Sequence, residues 1–311
     1  MPLSRRTFLT SSAAAGATLA FPFAGAARPR QELTAVFTAI RGGVGHFTMR
    51  GGTVGYLLDA DGTVVVDTQF PAQAQALLAG LEARSGRGRV DLLLNTHHHG
   101  DHTAGNPVFR GVAGRVVAHE RAAEHMRNPP AGQPPEDQLY PDTTFADVWS
   151  GDVGGERVTA RHFGPAHTSG DAVVTFERAN VAHMGDLVFH RRHPVVDGAA
   201  GATLRGWIQV LERTVEVHGK DTVYIFGHAG AGLPVTGTFT DLLRFRDYLS
   251  AVLAHVGAAL RAGRERDEFL AGEGTLPGFE EFGPFGRPGP REARTVAWSE
   301  LSGERQFMEG S

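Results

Sequence analysis

The sequence predicts an α/β fold of two mixed sheets with helices on their outer faces. Three observations carry this. Short apolar runs of strand length recur along the chain, separated by turn signals rich in Gly, Pro, Asn and Asp. Between them lie longer stretches with apolar residues at helical spacing. Their order is strands, helix, strand, helix, strands, helix, strand, helix, which two packed sheets covered by helices satisfy. With 41% hydrophobic and 21% charged residues, the 311-residue chain carries enough apolar material for a sizeable core.

Taken in order, Val54–Leu58 and Thr63–Val66 read as strands joined by Asp59-Ala60-Asp61-Gly62, whose Asp-Gly pair suits a hairpin turn. Pro71 opens a helix carrying Ala74, Leu77, Leu78 and Leu81, which fades at Ser85-Gly86. Val90–Leu94 and Arg115–Ala118 are strands, and Glu120–Met126 is a short helix. Five prolines between 128 and 142 make an extended loop. Strands follow at Val158–His162, Ala172–Phe176 and Val181–Met184, then an amphipathic helix at Leu204–Val217. A strand at Thr222–Phe226, a long helix at Asp241–Arg261 and a Gly/Pro-rich stretch at 272–292 complete the chain.

The N-terminus differs in kind. Arg5-Arg6, flanked by Ser4 and Phe8-Leu9, precede a short Ala/Gly-rich apolar run and the small residues Ala24-Gly25-Ala26. That order describes a secretory signal over residues 1–26, and the arginine pair resembles the twin-arginine type. The expected partner is the twin-arginine export machinery, and the expected location is periplasmic or otherwise extracytoplasmic. The run is too short for a membrane span. Residues 27–33 read as a linker. Removing the signal takes away two arginines and no acid, moving the net charge from −4 to −6. With no clustered Lys/Arg run, nucleic acid is not an expected partner. The chain has no cysteine, so any metal site must use His and carboxylates.

The segment Asn95-Thr96-His97-His98-His99-Gly100-Asp101-His102 follows directly on a strand, and a strand end is a rigid support for ligands. His97 and His99 share a face of an extended segment, while His98 alternates away from them. Asp101 and His102 fall where the loop enters the next helix. A solvated histidine run would sit at a terminus; here the tract follows a buried strand and favours metal.

This H-x-H-x-D-H motif resembles that of the metallo-β-lactamase-fold hydrolase superfamily, and the resemblance extends over about residues 34–265. The remaining family positions follow in order. His167 lies in Gly164-Pro165-Ala166-His167-Thr168, Asp186 in His183-Met184-Gly185-Asp186, and His228 in Phe226-Gly227-His228-Ala229-Gly230. The resemblance implies a four-layer αββα sandwich at 27–265 and sets residues 266–311 apart as a C-terminal extension. It implies that His97, His99 and His167 bind one metal, that Asp101, His102 and His228 bind a second, and that Asp186 bridges them. Two Zn(2+) per chain are expected, with Fe or Mn also suited to this donor set. Asp67 matches a position beside the site; it orients a ligand or simply makes a turn at a strand end.

By the same resemblance the chain is a metallo-hydrolase in which a metal-activated hydroxide attacks the carbonyl of a small-molecule ester, lactone, thioester or β-lactam amide, with Asp101 as the proton-handling residue. Two alternatives share the fold. One is a β-lactamase proper, with Asp186 standing where the best-known β-lactamases carry Cys or Ser. The other is a metal-binding protein without turnover. His190 and His193, with Arg191 and Arg192, form a loop that either meets an anionic substrate group or is a solvated charge run. His119 and His183 are not assigned. Phe279, Phe282, Phe285 and Trp298 in the extension wall the pocket, pack a dimer or plug the tail. The sequence assigns no oligomeric state.

Overall fold

The computed structural model describes residues 34–130, 133, 136–287 and 289–303; the signal and linker readings lie outside them. The first sheet holds β1 (Val36–Arg41), β2 (Val44–Thr48), β3 (Val54–Asp59), β4 (Gly62–Val66), β5 (Leu92–Asn95), β6 (Val116–His119) and β7 (Thr143–Phe145), hydrogen-bonded in that order. Hairpins make β1 to β4 antiparallel; crossovers make β4 to β7 parallel. Helix α1 (Pro71–Ser85) is the first crossover, ended by Gly86 at φ 68°, a left-handed cap that suits glycine. The short α2 (Gly100–Thr103) and α3 (Glu120–Arg127) follow β5 and β6.

The second sheet is built from β8 (Val148–Val153), β9 (Glu156–Arg161), β10 (Val173–Phe176) and β11 (Val181–His183). A two-residue strand β12 (Phe189–His190), helix α4 (Leu204–Val217), β13 (Val223–Ile225), β14 (His228–Ala229) and β15 (Thr236–Gly237) come next. The sheet order is β15-β13-β11-β10-β9-β8, with β12 and β14 paired separately. Helices α5 (Phe239–Arg261), α6 (Arg266–Leu270) and α7 (Ala293–Ser302) close the described part of the chain. Helix α5 starts two residues before its apolar pattern because Thr238 and Asp241 form a capping box.

Strand periodicity explains the layers. Val64 and Val66 face the second sheet, where they share a core with Leu92, Leu94, Val174, Phe176 and Ile225. Val65 and Leu93 face outward, under α1 with Leu77 and Leu81. On the far side, Ala182 and Tyr224 pack beneath Trp207, Leu211, Phe245 and Leu249 of α4 and α5. Three apolar layers therefore separate four layers of structure, as expected. The strands β1, β2, β7 and β8 go beyond the expected elements. Glycines 42, 43 and 45 break the apolar pattern of the first hairpin, and β8 alternates only between exposed and half-buried positions.

The C-terminal stretch is integrated with the second outer layer. Phe282 and Trp298 are buried in the same core as α4 and α5, and Phe282 stacks on Tyr248 at 4.1 Å. No helix among the described residues is long and apolar enough to cross a membrane.

Candidate metal centre

The chemistry-bearing residues collect where strands end. Asp67 follows β4, His97 follows β5, Asp186 follows β11 and His228 begins β14 just after β13. Parallel pairing of β4 with β5 and of β11 with β13 brings these ends to one edge of the sandwich.

The seven expected ligands are brought together in two groups. In the first, His99 Nδ1 lies 3.1 Å from His97 Nε2 and 2.9 Å from His167 Nε2, and Asp186 Oδ2 is 3.5 Å from His167 Nε2. In the second, Asp101 Oδ2 lies 3.1 Å from His228 Nε2 and 3.9 Å from His102 Nε2. Asp186 reaches this group too, with Oδ1 at 3.0 Å from His102 Nε2 and Oδ2 at 3.4 Å from His228 Nε2. Ligand atoms within each group are close enough to hold one ion.

Outer partners show what the inner nitrogens offer. His99 Nε2 donates to Asp197 Oδ2 at 2.8 Å, and His167 Nδ1 donates to the Val195 carbonyl at 2.9 Å. His102 Nδ1 donates to Asp67 Oδ2 at 2.8 Å. Thr96 Oγ1 gives its hydrogen to Asp67 Oδ2 at 2.7 Å and so accepts from His97 Nδ1 at 3.0 Å. His97, His99 and His167 thus each turn a lone pair inward. Lone pairs facing one another at 2.9–3.1 Å repel unless a cation stands between them. His102 Nε2 and Asp186 Oδ1 are moreover among the buried polar atoms without a well-directed hydrogen bond, although they lie 3.0 Å apart. The donor set fits transition-metal binding.

The charges agree. Burial keeps His97 neutral, far below the ordinary imidazole value, and burial with the neighbouring His99 takes His167 down to about 3. Burial would do the same to His228, but Asp186 and Asp101 override it and hold the imidazolium up to about 9. His102 is likewise raised, against its burial, by Asp186 and Asp67. Asp186 stays far below the carboxylate range despite desolvation, because His228 and His102 face it. One half of the cluster offers lone pairs and the other half demands positive charge.

Backbone geometry supports the site. Asp67 is buried with φ 67°, a conformation uncommon outside glycine, and also accepts the Thr96 amide at 2.8 Å. Gly52 leaves room for His102: a Cβ at position 52 would sit 2.1 Å from the ring Cε1. His98 joins neither ligand group around Asp186, its ring lying 4.8 Å from that of His125.

Asp197, which holds His99, and Val195, which holds His167, carry no motif in the sequence. The loop before them is committed inward. Arg191 pairs with Asp241 and Glu281, His190 Nδ1 donates to the Pro234 carbonyl, and His193 bridges Tyr248 and Glu292. Only the exposed Arg192 answers to the solvated charge run. His183 Nε2 donates to the Thr53 carbonyl and His119 Nε2 to the Ala146 carbonyl, both structural roles.

Residues 48–234, which hold all seven residues, match the family model described as the metallo-beta-lactamase superfamily. This chain belongs to the metallo-beta-lactamase superfamily. Residues 2–22 match the TAT (twin-arginine translocation) pathway signal sequence, which indicates export across the cytoplasmic membrane. The superfamily member is 29% identical over 135 residues to 2,4-dinitroanisole O-demethylase subunit alpha of Nocardioides sp., a match spanning 41% of this chain and 38% of that protein. It is 32% identical over 135 residues to hydroxyacylglutathione hydrolase of Methylococcus capsulatus, spanning 43% of this chain and 47% of the relative. The matches thus span less than half the length of these curated relatives. In fold it is similar to a metallo-beta-lactamase from Pontibacter korlensis, with a TM-score of 0.59 and 22% identity, over 70% of this chain and 99% of the other.

Proposed function

We propose that this chain is an exported, dinuclear metallo-hydrolase of zinc type that cleaves an acyl bond in a small molecule: an ester, lactone, thioester or β-lactam amide. After twin-arginine export it works in the periplasm or elsewhere outside the cytoplasmic membrane. The carrying observation is the sharing of Asp186 between the two ligand groups, one carboxylate oxygen 3.0 Å from His102 Nε2 and the other 3.5 Å from His167 Nε2. His97, His99 and His167 would hold one ion, Asp101, His102 and His228 the other, and Asp186 would be shared between them. When bound, such a pair supplies Lewis acidity and lowers the pKa of water from 15.7 to about 7.

The protein's own contributions follow from burial. His97, His102 and His167 are sealed off, whereas Asp101 is 31% exposed and marks the mouth. Asp101 orients the attacking water and takes up its proton through the carboxylate oxygen not turned toward His228. Phe189, stacked against His228 at 5.3 Å, and Trp207, 5.5 Å from His167, form an aromatic floor that keeps bulk water from the inner ligands. The relative named for hydrolysis of a hydroxyacylglutathione supports acyl chemistry.

The test uses zinc-loaded protein with a chromogenic β-lactam and an activated ester, beside Asp186→Ala. Two metals per chain and turnover of at least one probe are expected, with turnover falling at least about a hundredfold in the variant. Unchanged turnover in Asp186→Ala ends the bridging role. Two bound metals with no turnover of any probe would instead favour the non-catalytic reading.

A further inference from the structure

A cavity of about 220 Å³ adjoins the His99 edge of the cluster. Its wall joins the imidazoles of His98 and His125, the apolar side of Met126, Pro129 and Pro130, and Arg291 from the C-terminal extension. Among the described residues, no Asp or Glu lines it, so Arg291 is its one fixed charge. Arg291 lies outside the stretch that matches the family model.

The structure fixes where this arginine stands. Its carbonyl accepts from the Val196 amide at 3.0 Å, and the next residue, Glu292, bridges to Val195 and receives His193 Nε2 at 3.1 Å and Arg294 Nε at 3.2 Å. One guanidinium nitrogen donates to Asp197 Oδ2 at 2.7 Å. Asp197 is wholly buried, and its other bonds run inward to His99 and to the Ala200 amide. The arginine side chain is 49% exposed. The pair therefore shows the cavity its cationic half. A guanidinium has five donors in a rigid fork, and Asp197 takes one, which leaves an edge matched to a second carboxylate.

We propose that Arg291 makes this cavity a subsite for a carboxylate carried by the substrate, so that the enzyme selects short acyl compounds ending in that anion. The proposal rests on the hydrolase reading above and names its substrate class. At about 220 Å³ the space is below the 300–1,000 Å³ usual for drug-sized ligands, which suits a chain of a few carbons laid along Met126 and the prolines.

The experiment compares nitrophenyl hemisuccinate with nitrophenyl acetate on the zinc-loaded full chain, for wild type, Arg291→Met and Arg291→Lys, with metal content checked in each. Wild type should prefer the hemisuccinate in kcat/KM. Arg291→Met should lower that preference about ten- to hundredfold, mostly through KM, as for a lost bond to a charged group, and Arg291→Lys should restore part of it. An unchanged preference overturns the proposal. So does an equal loss on both esters with metal released, which would make Arg291 a support for Asp197 alone. Calorimetric binding of succinate is the readout that needs no turnover: weaker binding to Arg291→Met upholds the subsite, and equal binding removes it. Failure of every variant to cleave either ester would count against the hydrolase reading instead.

Discussion

Replacing Asp67 by Asn changes one charge and no shape, and so isolates what the carboxylate does for His102. Oδ1 accepts the Thr96 amide at 2.8 Å, a bond that the asparagine carbonyl keeps. Oδ2 accepts two hydrogens, from Thr96 Oγ1 at 2.7 Å and from His102 Nδ1 at 2.8 Å. An amide nitrogen in its place accepts neither. The cheapest repair is a change of tautomer: His102 Nδ1 accepts from the new amide, and the ring proton moves to Nε2. There it meets Asp186 Oδ1 at 3.0 Å, which suits the metal-free protein, but Nε2 no longer has a lone pair to offer. The fold loses roughly one hydrogen bond, about 1 kcal/mol, or about 2–4 °C in Tm. The second metal should bind about 10–100-fold more weakly, about 1.4–2.7 kcal/mol. Stepwise chelator competition on zinc-loaded wild type and Asp67→Asn measures this, with thermal melts of the metal-free forms beside it. Superimposable zinc curves would refute the reasoning and return Asp67 to a turn residue at a strand end.

Three further outcomes follow from the geometry. Gly52→Ala drives a methyl group into the His102 ring, where contacts near 2.1 Å cannot be relieved without turning the imidazole; metal analysis should find the second ion lost, and full occupancy would contradict this. In metal-free protein, the raised pKa of His228 adds stability that is complete below pH 6.5 and lost as pH climbs through about 9. Tm after chelation should therefore fall across that window, and a rise would reverse the assigned sign. Trp298→Ala empties a buried site against α5 and should cost about 3–5 kcal/mol in urea unfolding; a loss below about 1 kcal/mol would show that the extension is dispensable to the core.

How much of this was legible in the sequence depended on distance along the chain. His97, His99, Asp101 and His102 fall within six positions, so their pattern stands out by itself. His167, Asp186 and His228 were found through strand ends and the order of a family motif. Their outer partners had no such marker. Asp197 meets His99 across 98 residues, and what places it is the packing of the 195–197 segment against 291–292, which no local pattern encodes. The loop at 190–193 shows the opposite error. Its two histidines and two arginines suggest an anion-facing surface, yet three of the four are answered by Asp241, Glu281 and Glu292, which lie 50 to 99 positions further on. In the extension, glycine and proline hid a core contribution, because irregular backbone has no period for its aromatic residues to follow.

That the segment 195–197 touches both the proposed ligands and the extension has a physical consequence for the site. Two of the three imidazoles in the first ligand group take their outer hydrogen bond from this single stretch, His167 through the Val195 carbonyl and His99 through the Asp197 carboxylate. The stretch has no long strand to stiffen it; its backbone is pinned by Arg291 and by the bridge to Glu292. Glu292 is in turn fixed by the buried Arg294, whose guanidinium donates to the carbonyls of Leu270 and Gly272. Rigidity thus reaches His99 and His167 from the C-terminal extension, whereas His102, and His97 through Thr96, are braced by Asp67 at the end of β4. The site is thus held from opposite ends of the described chain, and Asp186 is where those supports meet.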